Sequence, residues 1–254
     1  MKILWIAALL AAGLLAALVA LASARPAATP AARRVPVVVE LFTSGGCSSC
    51  PAADAALRAL ESAQSVPGAE VIALGEHVDY WNRLGWKDGF SSAAYTARQR
   101  QYAQGFGTGS YTPQAVVNGR YEFVGSRPGA LASTVAQAAK LPRAAVSVTA
   151  GGDAARVRVT GVPPGTPAAE VLLAITESGL ASRVGRGENS GQLLRHAAVV
   201  RQLIPLGQLR ADGTFAASPA LKLSPDWKRP NLRAVALVQE TASRRIVGVA
   251  ATAL

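Results

Sequence analysis

Cysteine and histidine are scarce in this chain, at two each in 254 residues. A structural zinc site needs four such ligands at characteristic spacings, and His77 and His196 lie far apart, so the cysteines do not read as half of a zinc knuckle. Acidic residues are also few, 15 against 26 lysines and arginines, for a formal net charge of +11. The basic residues are scattered singly, with no dense cluster and no nucleic-acid-binding motif, which argues against a nucleic-acid partner. No internal repeat, phosphate-cradling glycine loop or serine-hydrolase elbow occurs. Gly185-Arg186-Gly187 lacks the strand-to-helix setting that dinucleotide binding requires. No cofactor and no resident metal are expected.

What is present centres on the cysteines. Cys47-Ser48-Ser49-Cys50 follows the strand-like run Val37-Val38-Val39-Glu40-Leu41-Phe42 and precedes Pro51 and a helical stretch from Ala52 to Leu60. Two thiols three apart at a helix start share its first turn and are close enough to bridge. Unpaired N–H groups and the positive dipole end favour thiolate there, below the ordinary cysteine value of about 8.5. Pro51 is tolerated because the first turn has no N–H bond to lose. A disulfide across so short a loop gains little unfolded-state entropy, so chemistry is the better reason for the pair than stability. Strand, dithiol, helix is the setting of a thioredoxin-like site.

Residues 3–22 are almost purely apolar behind Lys2, and Ala22-Ser23-Ala24 is a small-x-small cleavage site. This reads as a signal peptide over residues 1–24, with periplasmic or secreted localisation. The run is also long enough to span a bilayer, so an N-terminal inner-membrane anchor is the alternative. Either way the remainder would be exported, where disulfides persist. The mature chain carries +10. Residues 25–142 hold 11 basic and 8 acidic side chains and residues 143–254 hold 14 and 7, so most of the excess lies in the second half.

Glu70–Leu74 reads as a second buried strand, Ser91–Tyr102 as a helix, and Ala115–Val117 with Arg120–Val124 as a hairpin around the turn signal Asn118-Gly119. Pro128 opens a helix to about Lys140. The order β, dithiol, α, β, α, Pro, hairpin, α is that of a thioredoxin fold. The expected fold class is therefore an α/β thioredoxin-like domain over residues 35–142. From Ala145 the texture changes to short alternating strands at 146–149, 156–160, 171–176, 197–203, 234–239 and 246–250. These predict a smaller, mainly antiparallel β domain over 143–254, packed on the first.

The chain resembles the exported bacterial proteins catalogued as a thioredoxin-like domain of unknown function. The resemblance is carried by Glu40-Leu41-Phe42-Thr43-Ser44 with Cys47-Ser48-Ser49-Cys50-Pro51, by His77-Val78-Asp79-Tyr80-Trp81 and by Gly85-Trp86-Lys87-Asp88. Arg98-Gln99 with Tyr102, Tyr111-Thr112-Pro113-Gln114 and Gly187-Glu188-Asn189-Ser190-Gly191 continue it. It implies that Pro113 is a cis-proline lying beside the dithiol. The residues alone leave a trans proline at a strand start open.

The run from His77 to Asp88 has two readings. His77, Trp81, Tyr111 and Thr112 are candidates for a substrate groove, with His77 lowering a thiol pKa or moving a proton. Alternatively Tyr80, Trp81 and Trp86 cover the sheet edge, and His77 and Asp79 are hydrogen-bonded in the loop. In the second half, Glu188-Asn189-Ser190-Gly191-Gln192 with Arg195 and His196 is the concentrated polar group. It is expected to be a polar inter-strand loop, with a ligand or metal loop as the alternative.

The leading functional expectation is an exported thiol–disulfide oxidoreductase with Cys47 as nucleophile, Cys50 as resolving thiol and Pro113 beside them. Its partners would be exported proteins with thiols or disulfides, and a membrane redox partner is a further candidate. Two other classes stay open: a Cu(I)-handling protein using both thiolates, with His77 as a candidate third ligand, and a binding module with a permanent disulfide.

Overall fold

The computed structural model describes residues 34–254; the signal peptide or anchor expected over residues 1–24 lies outside the described residues. Nine residues, Val35–Thr43, form strand β1, whose side chains alternate between two covered faces. Val37, Val39 and Leu41 meet one core cluster, while Val38 and Phe42 meet others on the opposite face. Burial on both faces explains why the run is continuously apolar.

Helix α1 (Cys50–Ala63) leads to β2 (Ala69–His77), which runs parallel to β1. Helix α2 (Ala93–Phe106) starts at Ser92, whose side chain accepts the Ala94 N–H, and stops at Gly107 in the left-handed region. Strands β3 (Gln114–Val117) and β4 (Tyr121–Val124) form the expected hairpin. Asn118 and Gly119 at its turn both have positive φ, 48° and 58°, which suits the mirror-image turns that hairpins prefer. A Cβ on Gly119 would lie 2.0 Å from the Arg244 carbonyl oxygen, so this turn is also a close backbone approach. Helix α3 (Pro128–Ala138) closes the first half, with α1 and α3 covering the face of Val37, Val39 and Leu41.

The second half holds β5 (Ala145–Gly151), β6 (Ala154–Thr160), β7 (Ala169–Glu177), the short β8 (Ala181–Arg183) and β9 (Leu193–Arg195), and β10 (Val199–Gln208). After β11 (Phe215–Ala217) come β12 (Leu232–Glu240) and β13 (Ile246–Ala253). Four of these strands extend the sheet of the first half. One eight-stranded mixed sheet runs β13-β12-β7-β10-β2-β1-β3-β4. The junction is β10 against β2, parallel, with Val199 opposite Gly75 and the Gly75 N–H bonded to the Ala198 carbonyl at 2.6 Å. A separate three-stranded sheet, β11-β6-β5, packs Val148, Val157 and Val159 against Val171, Leu173, Ala234 and Ala236 of the large sheet.

The strands expected from 146 onward therefore form; β5, β6 and β11 make a small sheet of their own, but β7, β10, β12 and β13 do not stand apart from the first half. They continue its free β2 edge, and residues 34–254 make one compact unit. An edge strand buried on both faces leaves backbone donors and acceptors that need partners, and β10 supplies them. The core shows the same merger, with Val38, Ile72 and Leu74 in one cluster with Leu172, Val200, Val235 and Leu237. No helix among the described residues is long and apolar enough to cross a membrane.

Candidate functional site

Cys47 and Cys50 are joined in a disulfide at the N-terminus of α1. Pro51 stands in the first turn, and neither an acidic side chain nor a side-chain cap satisfies that end. Ser48 and Ser49 between the cysteines are exposed, yet Cys47 and Cys50 are 0% and 1% accessible. In this oxidised state the expected nucleophile Cys47 is therefore as covered as the expected resolving residue Cys50.

What covers the disulfide is the loop between β8 and β9. Asn189, itself buried, donates from Nδ2 to the carbonyl oxygens of Gly45 (3.0 Å) and Cys47 (2.9 Å). Its neighbour Glu188 accepts the Ser48 N–H at 2.9 Å. That contact, with the Ser48 side chain, holds the exposed Glu188 carboxyl below its usual range. The segment Glu188–Gln192, expected as a polar inter-strand loop, is thus a cap that folds back onto the Cys-x-x-Cys turn from about 140 positions away. Gly45 and Gly46 make room for the wall beside it. A Cβ on Gly45 would meet the Trp86 ring at 2.7 Å, and one on Gly46 would lie 3.2 Å from Trp81 Cβ.

The groove candidates separate. Trp81 packs on Gly46 and donates from Nε1 to Thr112 Oγ1 at 2.9 Å, linking the Cys-x-x-Cys turn to the Thr112–Pro113 segment. The Thr112–Pro113 peptide bond is cis. Tyr111 turns its hydroxyl to Glu122 at 2.6 Å, which, after burial, raises its pKa. His77 makes no hydrogen bond to either sulfur. Its Nδ1 lies 2.7 Å from Asp88 Oδ2, and that oxygen also accepts the Gly45 N–H at 2.7 Å. Burial would raise Asp88, but the His77 contact and the Gly45 and Phe90 amides together hold it well below the usual carboxylate range. Asp88 is therefore an ionised post between the imidazole and the turn.

Behind the turn lies a buried polar group with Asp54 and His196 as its further members. Asp54 is one helical turn after Cys50, hence on the same face of α1. Its carboxylate accepts from Thr43 Oγ1 (2.6 Å) and the Ala197 N–H (2.9 Å). Burial outweighs these bonds and raises its pKa. His196 has Nε2 2.9 Å from Ser182 Oγ and Nδ1 4.0 Å from Asp54 Oδ1. Burial, then the neighbouring His77, lowers its pKa to about 4, so it is neutral. The two imidazoles meet edge to face at 4.7 Å, and Phe90 packs on both.

Asp54 carried no sequence signal, being one polar residue in an alanine-rich helix. His196 and Asn189 did stand in the one polar cluster of the second half, but nothing in their spacing ties them to Cys47. The partner position is set by the β10–β2 junction, which brings Ala197 and Ala198 beside α1 and β2.

A comparison with curated proteins yields no match. Among solved structures, the crystal structure of protein AGR_C_4864 from Agrobacterium tumefaciens superposes with a TM-score of 0.69 and 29% identity, covering 86% of this chain and 94% of that one. A domain of the outer membrane lipoprotein Omp28 from Porphyromonas gingivalis reaches a TM-score of only 0.26 at 12% identity, covering 45% of this chain and 89% of that one. The family model described as "Protein of unknown function (DUF1223)" matches residues 38–239, and the chain belongs to that family.

Proposed function

We propose that residues 35–142 provide a thioredoxin-like scaffold and that the protein is an exported thiol–disulfide oxidoreductase whose Cys47–Cys50 pair is covered in its oxidised state. The observation that carries this reading is the disulfide at an uncapped helix N-terminus, held under a polar lid rather than inside the apolar core. In the reduced protein the dipole end and free N–H groups favour a thiolate at Cys47. That thiolate attacks one sulfur of a partner disulfide and expels the other as thiolate, giving a mixed disulfide. Cys50 thiolate then attacks Cys47 Sγ, closing the internal disulfide and releasing the partner's second thiolate. The partner gains two electrons and this protein loses them; the reverse sequence oxidises a partner dithiol. Exchange in either direction requires Glu188 and Asn189 to leave the turn.

The competing reading is a binding module with a permanent disulfide, favoured by the burial of both sulfurs. Trapping separates the two. Cys50→Ala should accumulate covalent adducts with exported proteins, because nothing remains to resolve the mixed disulfide, and Cys47→Ala should accumulate few. Absence of adducts from both variants, with equal alkylation of both cysteines in the reduced chain, would leave the permanent disulfide ahead.

A further inference from the structure

We infer that Asp54, His77 and His196 form a binding site for one divalent transition-metal ion of the zinc class, next to the disulfide and distinct from its sulfurs. One ligand atom from each of the three lies within 4.8 Å of the other two, and all three side chains are buried. Zinc bound at about 2.0–2.1 Å sets tetrahedral ligand atoms roughly 3.3 Å apart. The 4.0 Å between His196 Nδ1 and Asp54 Oδ1 therefore needs to close by less than about 1 Å.

The hydrogen-bonding around the cluster assigns each ligand atom. An ionised carboxylate only accepts, so His77 Nδ1 carries the proton it gives to Asp88. In the neutral ring that leaves the lone pair on Nε2, and this atom is buried without a hydrogen-bond partner. Such an unsatisfied buried group destabilises the fold unless a ligand takes its lone pair. Carboxylate, imidazole, metal is the usual arrangement behind a ligating histidine. Ser182 Oγ can accept a proton from His196 Nε2, and in that tautomer the Nδ1 lone pair faces Asp54. Thr43 and the Ala197 amide orient the Asp54 carboxylate.

Charge points the same way. Asp54 and Asp88 are two buried acids with no lysine or arginine within ion-pair distance among the described residues; the basic side chains beside them are His196 and His77. A divalent cation would neutralise both. Two imidazole nitrogens and one carboxylate oxygen suit zinc better than calcium or magnesium, and leave one tetrahedral position for a further ligand.

The test uses the purified full chain with its disulfide closed, so that thiolates cannot ligate and the outcome is independent of any redox activity. After chelator treatment, Zn²⁺ is titrated by calorimetry and Co²⁺ by visible absorption. The expected result is one equivalent bound, with the d–d bands of four-coordinate cobalt and no sulfur charge-transfer band. Asp54→Asn combined with His196→Gln should abolish binding. Because that pair is buried, the gentler Ser182→Ala and Thr43→Val, with folding checked by circular dichroism, should each weaken binding about 10- to 100-fold. The inference is overturned if the parent chain binds neither ion stoichiometrically, or if binding is unchanged in both gentle variants.

Discussion

Asn189 does with one side chain what the Cys-x-x-Cys turn cannot do for itself: it satisfies the carbonyls of Gly45 and Cys47 and ties the β8–β9 loop to the turn. Two hydrogen bonds from a buried amide hold the lid by about 1–2 kcal/mol. Asn189→Ala should therefore raise the open fraction, and the rate of reduction by a small dithiol at fixed pH, roughly 5- to 30-fold. Far-ultraviolet circular dichroism should be unchanged. A rate equal to the parent's would show that small reductants reach the sulfurs by another route. Glu188, exposed and joined to Ser48 through its carboxylate, is the lesser half of the lid. Its folded pKa is lowered, so its contact is present above the ordinary glutamate range and fades as pH falls through it.

At the scale of elements, α2 is tied to three strands by charge. Arg98 reaches Glu40 of β1 at 2.6 Å, Gln239 of β12 at 2.8 Å and Glu76 of β2 at 3.4 Å. Tyr102, one turn on, donates to Glu40 at 2.6 Å. One guanidinium faces two buried carboxyls. Burial, with Arg98 opposing and Glu40 reinforcing it, pushes Glu76 well above its ordinary value. A raised acid pKa means that the native state binds more protons than the unfolded chain. Stability contributed by that proton is full below the ordinary glutamate range and declines as pH rises toward the folded pKa, by at most about 1.4 kcal/mol per pH unit. Glu76→Gln should match the parent at pH 4 and exceed it in stability at pH 7, flattening the profile. Denaturant melts at the two pH values measure this, and a variant less stable than the parent at pH 7 would overturn the raised pKa.

At the scale of the whole molecule, the two halves share a sheet and a core rather than an interface. Val38, Ile72 and Leu74 from the first half lie in one cluster with Leu172, Val200, Val235 and Leu237 from the second. The Asn118-Gly119 turn touches Arg244, and the Ile246 N–H bonds to the Asn118 carbonyl. Neither half can lose its partner without exposing apolar surface and unpaired strand edge. Calorimetry of the full chain should show a single transition, with the calorimetric and van't Hoff enthalpies equal. Two resolved transitions would establish separate domains at the 142/143 boundary.

Local signals in the chain determined most of the elements. The valine run of β1, the Asn118-Gly119 turn, Pro128 opening α3 and the short strands after Ala145 all act over a few residues, where backbone propensity and burial period decide. The cysteine pair, its helix and the candidate His77 were legible for the same reason. Only tertiary structure decided that β10 would finish the edge of β2, because either half presents strands that satisfy local rules without naming their partner. From that one pairing follow the lid of Glu188 and Asn189 over the disulfide and the meeting of Asp54 with His77 and His196. Glu188, Asn189 and His196 lie more than a hundred residues from the groups they meet, and no periodicity reaches that far; what joins them is the requirement that a buried strand edge and buried polar atoms find partners.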